Sequence, residues 1–159
     1  MSVSSITTRL SAMYSLVPGI TTAYTYIPRT LQAAQLPAIV IEPGEATYDT
    51  GSVGDAQVMS TEIYRATLFY DLAAFGTATQ SETGLLPLID TIKDYFFKRP
   101  GLELDTDVPQ VAVVYNAQLT RSGGYRLLSY PTGSDKVADF ATVTFFHQVM
   151  ELSEITNQY

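Results

Sequence analysis

Glu62-Ile63-Tyr64-Arg65-Ala66-Thr67-Leu68-Phe69-Tyr70-Asp71-Leu72 is the stretch on which the fold turns. Tyr64, Ala66, Leu68, Tyr70 and Leu72 are all apolar or aromatic, while Ile63, Arg65, Thr67, Phe69 and Asp71 are mixed. A period of two with unequal faces belongs to a strand packed on one side and partly exposed on the other. Phe75-Gly76 ends it. A second alternating run goes from about Val137 to Leu152. Phe140, Thr142, Thr144, Phe146 and Met150 share one side of it, and Ala141, Val143, Phe145 and Val149 the other. Apolar groups on both sides predict a strand covered twice, by helix or by another chain.

Working outward, Leu36-Pro37-Ala38-Ile39-Val40-Ile41 is β-branched and closed by Pro43-Gly44, and reads as a strand. Ala23-Tyr24-Thr25-Tyr26 is a shorter alternating piece, and the alternation from Val111 to Asn116 predicts another strand. Residues 125–136 are ambiguous. Arg121-Ser122-Gly123-Gly124 signals a turn. Val3, Ile6, Leu10, Met13 and Val17 form a helical stripe, with Ser2, Ser4 and Ser5 available as caps and Pro18-Gly19 as the stop. A second helix is expected over Thr79 to Lys98, with a capping-box pattern at Thr79-Gln80-Ser81-Glu82. Gly84 and Pro87 conflict with a straight helix from there and allow a start near Leu86. Residues 44–60 hold few large aliphatics and read as a loop or loose hairpin arm, longer than compact domains usually tolerate. The whole predicts one α+β domain over 1–159. A mainly antiparallel sheet packs both helices on one face, with long extended loops and an acidic arm at about 44–60.

Composition narrows the function. The 159 residues are 46% hydrophobic but only 16% charged, against about 25% in ordinary domains. Such a surface is either rich in neutral polar groups or covered by a partner. Nine basic residues, scattered along the chain with only Lys98-Arg99 adjacent, stand against sixteen acidic ones, for a net charge of −7. This excludes a phosphate-gripping patch and docking on anionic lipid. There is no 20-residue apolar run or basic leader, which favours synthesis in a cytoplasm. With no Cys and a single His, His147, neither a thiol nucleophile nor a His/Cys metal site is supported, and His147 reads as a structural or surface residue. Asp105-Thr106-Asp107 and the pair Glu45–Asp55 lack a calcium-loop pattern and read as solvated acidic loops. Gly51-Ser52-Val53-Gly54 runs into Asp55 and would repel phosphate. Ser122 and Ser134 sit in no nucleophile elbow. No cofactor and no catalysis are expected. Of the eleven tyrosines, Tyr48, Tyr125 and Tyr130 fall in expected loops and are the candidate contact residues.

The arrangement resembles the tail terminator (tail completion) proteins of long-tailed bacteriophages. The resemblance rests on a short N-terminal helix, then Leu36-Pro37-Ala38-Ile39-Val40-Ile41-Glu42-Pro43 opening a polar loop. The strand Ile63 to Leu72 follows, then Leu85-Leu86-Pro87-Leu88-Ile89-Asp90-Thr91-Ile92 and a late strand with Phe145-Phe146. It implies a virion structural protein that assembles as a ring, a hexamer, on the last ring of the tail tube. Such a ring stops tube growth and offers a surface to the head-side connector, with DNA passing through its lumen unbound. The acidic loop carrying Glu45, Asp49 and Asp55 would face the lumen or the tube, where negative charge lets DNA slide. Arg65, Arg121 and Arg126, with Tyr48, Tyr125 and Tyr130, are the expected subunit contacts. For each arginine an intrachain carboxylate is the alternative. Other neck or tail-tube subunits share this size and composition. A small-molecule binding module is the reading from a different class, and it would need a deep pocket with convergent polar groups.

Overall fold

The computed structural model describes residues 2–49, 57–71, 84–107, 112–121, 126–133 and 135–154. In chain order these form α1 (Val3–Leu16), β1 (Thr22–Tyr24), a 3-10 turn at Ala33–Gln35, β2 (Ala38–Asp49) and β3 (Gln57–Asp71). Then come α2 (Leu86–Phe97), β4 (Asn116–Arg121), β5 (Arg126–Gly133) and β6 (Lys136–Glu154). The fold is α+β. The six strands make one sheet in the order β1-β2-β3-β6-β4, with β5 also on β6, and only the β1–β2 pairing is parallel.

The alternation seen in the sequence sets the two faces. Tyr64, Ala66 and Leu68 of β3 join Ile39 and Ile41 of β2 and Val143, Phe145 and Val149 of β6 on the inner face. Both helices lie there, α1 through Ile6, Leu10, Met13 and Tyr14, and α2 through Leu88, Ile89, Ile92 and Phe96. The Ser2 hydroxyl caps α1 by accepting the Ser5 N–H at 3.1 Å. After Val17 the chain reverses at Gly19, whose φ of +95° suits glycine. A side chain there would also meet Leu88 of α2 at 3.0 Å. Helix α2 begins at Leu86 with Pro87 in its first turn, where the missing N–H costs nothing. The expected start at Thr79 and its capping box lie outside the described residues.

One open choice is decided and one expectation corrected. Of the two readings of segment 44–60 the hairpin arm holds, since its described residues are largely strand. After an irregularity between Pro43 and Ala46, β2 continues against β3 with Ala46 opposite Glu62 and Asp49 opposite Met59. Backbone pairing needs no aliphatic side chains, so a polar run of Thr, Tyr and Ser extends the hairpin. The strand expected over Val111–Asn116 starts only at Asn116. Val113 instead donates its N–H to the Gly101 carbonyl at 2.9 Å, and Val114 is buried against the helical layer. Its alternation was satisfied by core packing beside a turn.

The outer face is treated unevenly. Residues 25–36 cross it as a strap. Leu31 is fully buried in a second cluster with Tyr24, Ala38, Val40, Phe69 and Phe140. At the far side the Leu31 N–H reaches the Pro131 carbonyl at 2.9 Å, and the Tyr130 hydroxyl donates to the Pro28 carbonyl. Of the ambiguous segment 125–136, Arg126–Gly133 is the β5 strand and Lys136 opens β6.

Leu68 sits in the middle strand with no exposure. Leu68→Ala is expected to cost about 2–5 kcal/mol, read as a lower urea midpoint with unchanged slope.

Candidate functional site

Beyond the helical layer the sheet carries on as an arm. Ile41 is the last core residue of β2, and every residue from Pro43 to Tyr48 is exposed. Gly44 permits the bulge: a Cβ there would lie 2.8 Å from the Ile63 carbonyl oxygen. Among the described residues no strand pairs with the outer edge of β2 after Val40. The arm is acidic, with no Lys or Arg from Glu42 to Glu62. At its base Arg65 pairs with Glu42 at 2.6 Å. On the inner side the Tyr64 hydroxyl donates to Glu62. Burial first, then that bond, raises the phenol's pKa so that it stays protonated. Glu45 and Tyr48 project outward, Tyr48 with 64% exposure.

Where the strap stops, the outer face is open. One depression of about 430 Å³ lies between Gly44, Ile63, Arg65, Thr120, Phe146 and Gln148. A second, of about 520 Å³, is bounded by Ile27 of the strap, Arg126, Leu127 and Leu128 of β5, and Thr67 and Thr144 on its floor. Both are shallow and open, and Arg65, which borders both, is already paired with Glu42. Their walls mix apolar groups with polar ones, Glu45, Thr120 and Gln148 in the first and three threonines in the second, the composition of a protein contact surface.

The chemically suggestive residues turn out to be committed to the fold. His147 is 1% exposed, with Tyr14 Oη 2.6 Å from its Nε2 and the Phe96 ring 4.6 Å away. Burial lowers its pKa to about 3 and raises that of Tyr14, so both are neutral near pH 7. Asp105 is exposed and Asp107 partly so, as expected, but both are ion-paired: Arg99 grips Asp105 at 2.7 Å and Arg9 grips Asp107 at 2.6 Å. Arg9 also donates to the Leu102 carbonyl, and Arg99 to that of Tyr95 while stacking on its ring. The loop after α2 is clamped onto both helices by these two arginines. Among the described residues no three His, Cys, Asp or Glu side chains come together to hold a metal. No described helix is long and apolar enough to cross a membrane.

The expected contact residues fall in different places. Arg65 has its partner within the chain, the alternative outcome for that residue. Arg121, at the end of β4 beside Asp90, Lys93 and Phe97, and Arg126, in β5, are both exposed. Tyr130 is half-buried in β5 rather than in a loop, its ring 5.3 Å from Phe69 and its hydroxyl held by the strap. Tyr125, Asp55 and the side chain of Asp49 lie outside the described residues, as do Gly51–Gly54, Ser122 and Ser134. Sequence reading missed Ile27, Leu127 and Leu128. A tandem leucine in a strand with no cover assigned to its second side was the available signal. No protein-family model matches the chain, and no curated protein matches it significantly.

His147 generates a pH prediction. Its folded pKa lies below the unfolded value of about 6.5, so the unfolded chain takes up the proton first. The stability due to neutral His147 is complete above pH 6.5. It declines by about 1.4 kcal/mol per pH unit on acidification, down to about pH 3. His147→Gln should be less stable at pH 7 but lose stability less steeply between pH 6.5 and 4 in urea titrations. Parallel slopes for the two proteins would refute the assignment.

Proposed function

We propose that this chain is a ring-forming structural subunit of a phage tail, acting as a tail terminator. The observation that carries the proposal is the arm. Pro43 to Tyr48 buries nothing of its own, yet is built as a strand with an open outer edge and an exposed aromatic. An open edge is a hazard that folded proteins normally cover, and a neighbouring molecule covers it at no cost to the fold. The low charge supports the same reading. Acidic groups collect on the arm, and the remaining open surfaces present Phe146, Ile63 and Leu127 among neutral polar residues.

In this reading the chain closes into a ring, a hexamer as its resemblance implies, on the last ring of the tail tube. The ring ends tube growth and meets the head-side connector, and DNA passes through the lumen without being held. For the arm, a protein-facing position fits better than a lumen wall. Glu42 is neutralised by Arg65, and Tyr48 is an exposed aromatic, which suits docking more than repulsion of phosphate.

Native mass measurement with electron microscopy of the purified chain separates the outcomes. Closed rings support a terminator, open stacks indicate a tube subunit, and a monomer at all concentrations defeats the proposal. Deletion of residues 46–57 should leave a folded chain by circular dichroism but abolish tail joining in a complementation assay. Normal joining would rule out a contact role for the arm.

A further inference from the structure

At the level of the arm the sheet has two edges that no strand covers among the described residues, β2 past Val40 and β4. In β4, Ala117 gives its N–H to the Pro100 carbonyl at 2.6 Å and not to β6. Peptide groups alternate sides along a strand, so the N–H and C=O of Leu119 and Arg121 also point away from β6. At the other edge the Pro37 carbonyl takes the Thr21 N–H at 2.9 Å, which turns the peptide groups of Ile39 and Ile41 outward in the same phase. Past the bulge, Ala46 opposite Glu62 and Tyr48 opposite Ser60 keep the phase of Ile41 opposite Ala66. Pro43 shares that phase but has no N–H to offer.

The side chains on the two edges complement each other. Leu119 packs toward the helical layer, and Tyr48 lies on that same face by register with Tyr64. Beside β4, Phe97 at the end of α2 is 62% exposed, between depressions of about 210 and 460 Å³ that both reach Leu119. Arg121 is exposed and has no ion-pair partner among the described residues. The arm has no cation from Glu42 to Glu62. One edge is therefore apolar and cationic, the other aromatic and acidic. Each neighbour from β2 through β3 and β6 to β4 is antiparallel. A β2 strand of another copy laid on β4 with the faces continuous is then antiparallel too.

We propose that the β2 arm of one copy adds as a strand to the free edge of β4 in the next. The inference rests on the ring reading above and names its subunit contact. One register uses all four outward residues: Ala46 opposite Arg121 and Tyr48 opposite Leu119, with Thr47 facing Thr120 between them. Tyr48 then packs on Leu119 and Phe97. Arg121 crosses the small Ala46 toward Glu62, its neighbour on β3. So short a pairing is enough to attach a strand, since β1 joins β2 through Thr22–Tyr24 alone. Within one molecule the ladder sets Thr47 level with Asn116, so pairing Thr47 with Thr120 shifts the register from Asn116 to Thr120 for every set of β2, β3, β6 and β4. That shift inclines the strands by about 35° to the ring axis, the tilt common in closed sheets. Because the two edges differ, the contact is head-to-tail and closes where the rotation divides the circle.

The chain has no cysteine of its own, so an engineered disulfide reads the contact directly. Thr47 and Thr120 are both exposed. In the proposed register they form a non-hydrogen-bonded pair with Cα atoms about 4.5 Å apart, within reach of a disulfide. Inside one molecule three strand spacings, about 14 Å, separate their strands, which a disulfide cannot bridge. Mild oxidation of Thr47→Cys/Thr120→Cys should give a covalent ladder on a non-reducing gel, ending at the full ring. Thr47→Cys/Gln118→Cys, out of register on the same face, should cross-link about tenfold more slowly. Ala46→Pro removes an outward N–H and spares the β2–β3 ladder. It should keep the native circular dichroism and weaken association about tenfold in analytical ultracentrifugation. Wild-type rings combined with no cross-link at Thr47→Cys/Thr120→Cys, or with equal rates for the two pairs, would overturn this contact and leave the ring standing. Association untouched by Ala46→Pro would overturn it as well. A wild-type chain that stays monomeric would defeat the contact and the ring together.

Discussion

The ladder between β3 and β6 is the constraint on which everything else hangs. Its register is unbroken from Gln57 opposite Glu154 to Asp71 opposite Phe140, joining segments far apart in the sequence. Strand β2 attaches to the free side of β3, and β4 and β5 attach in line to the free side of β6. Both helices need the apolar floor that the ladder aligns, with Tyr64, Ala66 and Leu68 set beside Val143, Phe145 and Val149. Because side chains alternate with period two, a slip of one residue would turn this floor outward. The buried face therefore locks the register, and the register in turn decides where the arm and the outer-face depressions stand.

The sheet's two faces answer the question posed by a chain only 16% charged. The inner face is closed by α1 and α2. Among the described residues the outer face is closed where Leu31 and Leu36 of the strap lie over Val40, Phe69 and Phe140. Past the strap, Thr67, Thr144 and Gln148 alternate with Ile63 and Phe146. Neutral polar groups keep that surface wettable while it remains cheap to desolvate, which is the composition of protein interfaces away from their rims.

Residue types that suggest chemistry are spent on holding the fold. Arg9 and Arg99 secure the loop carrying Asp107 and Asp105, and both arginines are largely buried where the pairs form. Removing one partner would strand a charge in a partly dry setting, so these pairs specify the loop's position more than they add stability. His147 serves in the same way, as a neutral polar contact for Tyr14 beneath the aromatic ring of Phe96.

The sequence by itself determined the α+β class, the two amphipathic helices on one face, and the inward and outward sides of β3 and β6. Those follow from periodicity, because a buried face must be apolar at the spacing of its own backbone. Tertiary structure alone decided the rest. The arm is strand because β3 offers backbone partners to a polar segment, and no periodicity signals a partner chosen from elsewhere. The Val113–Tyr115 stretch is bent because Gly101 takes the Val113 N–H. Arg65 is spent on Glu42, and a strap from one sheet edge reaches β5 at the other. Each of these depends on which distant segments meet, and local spacing carries no record of that.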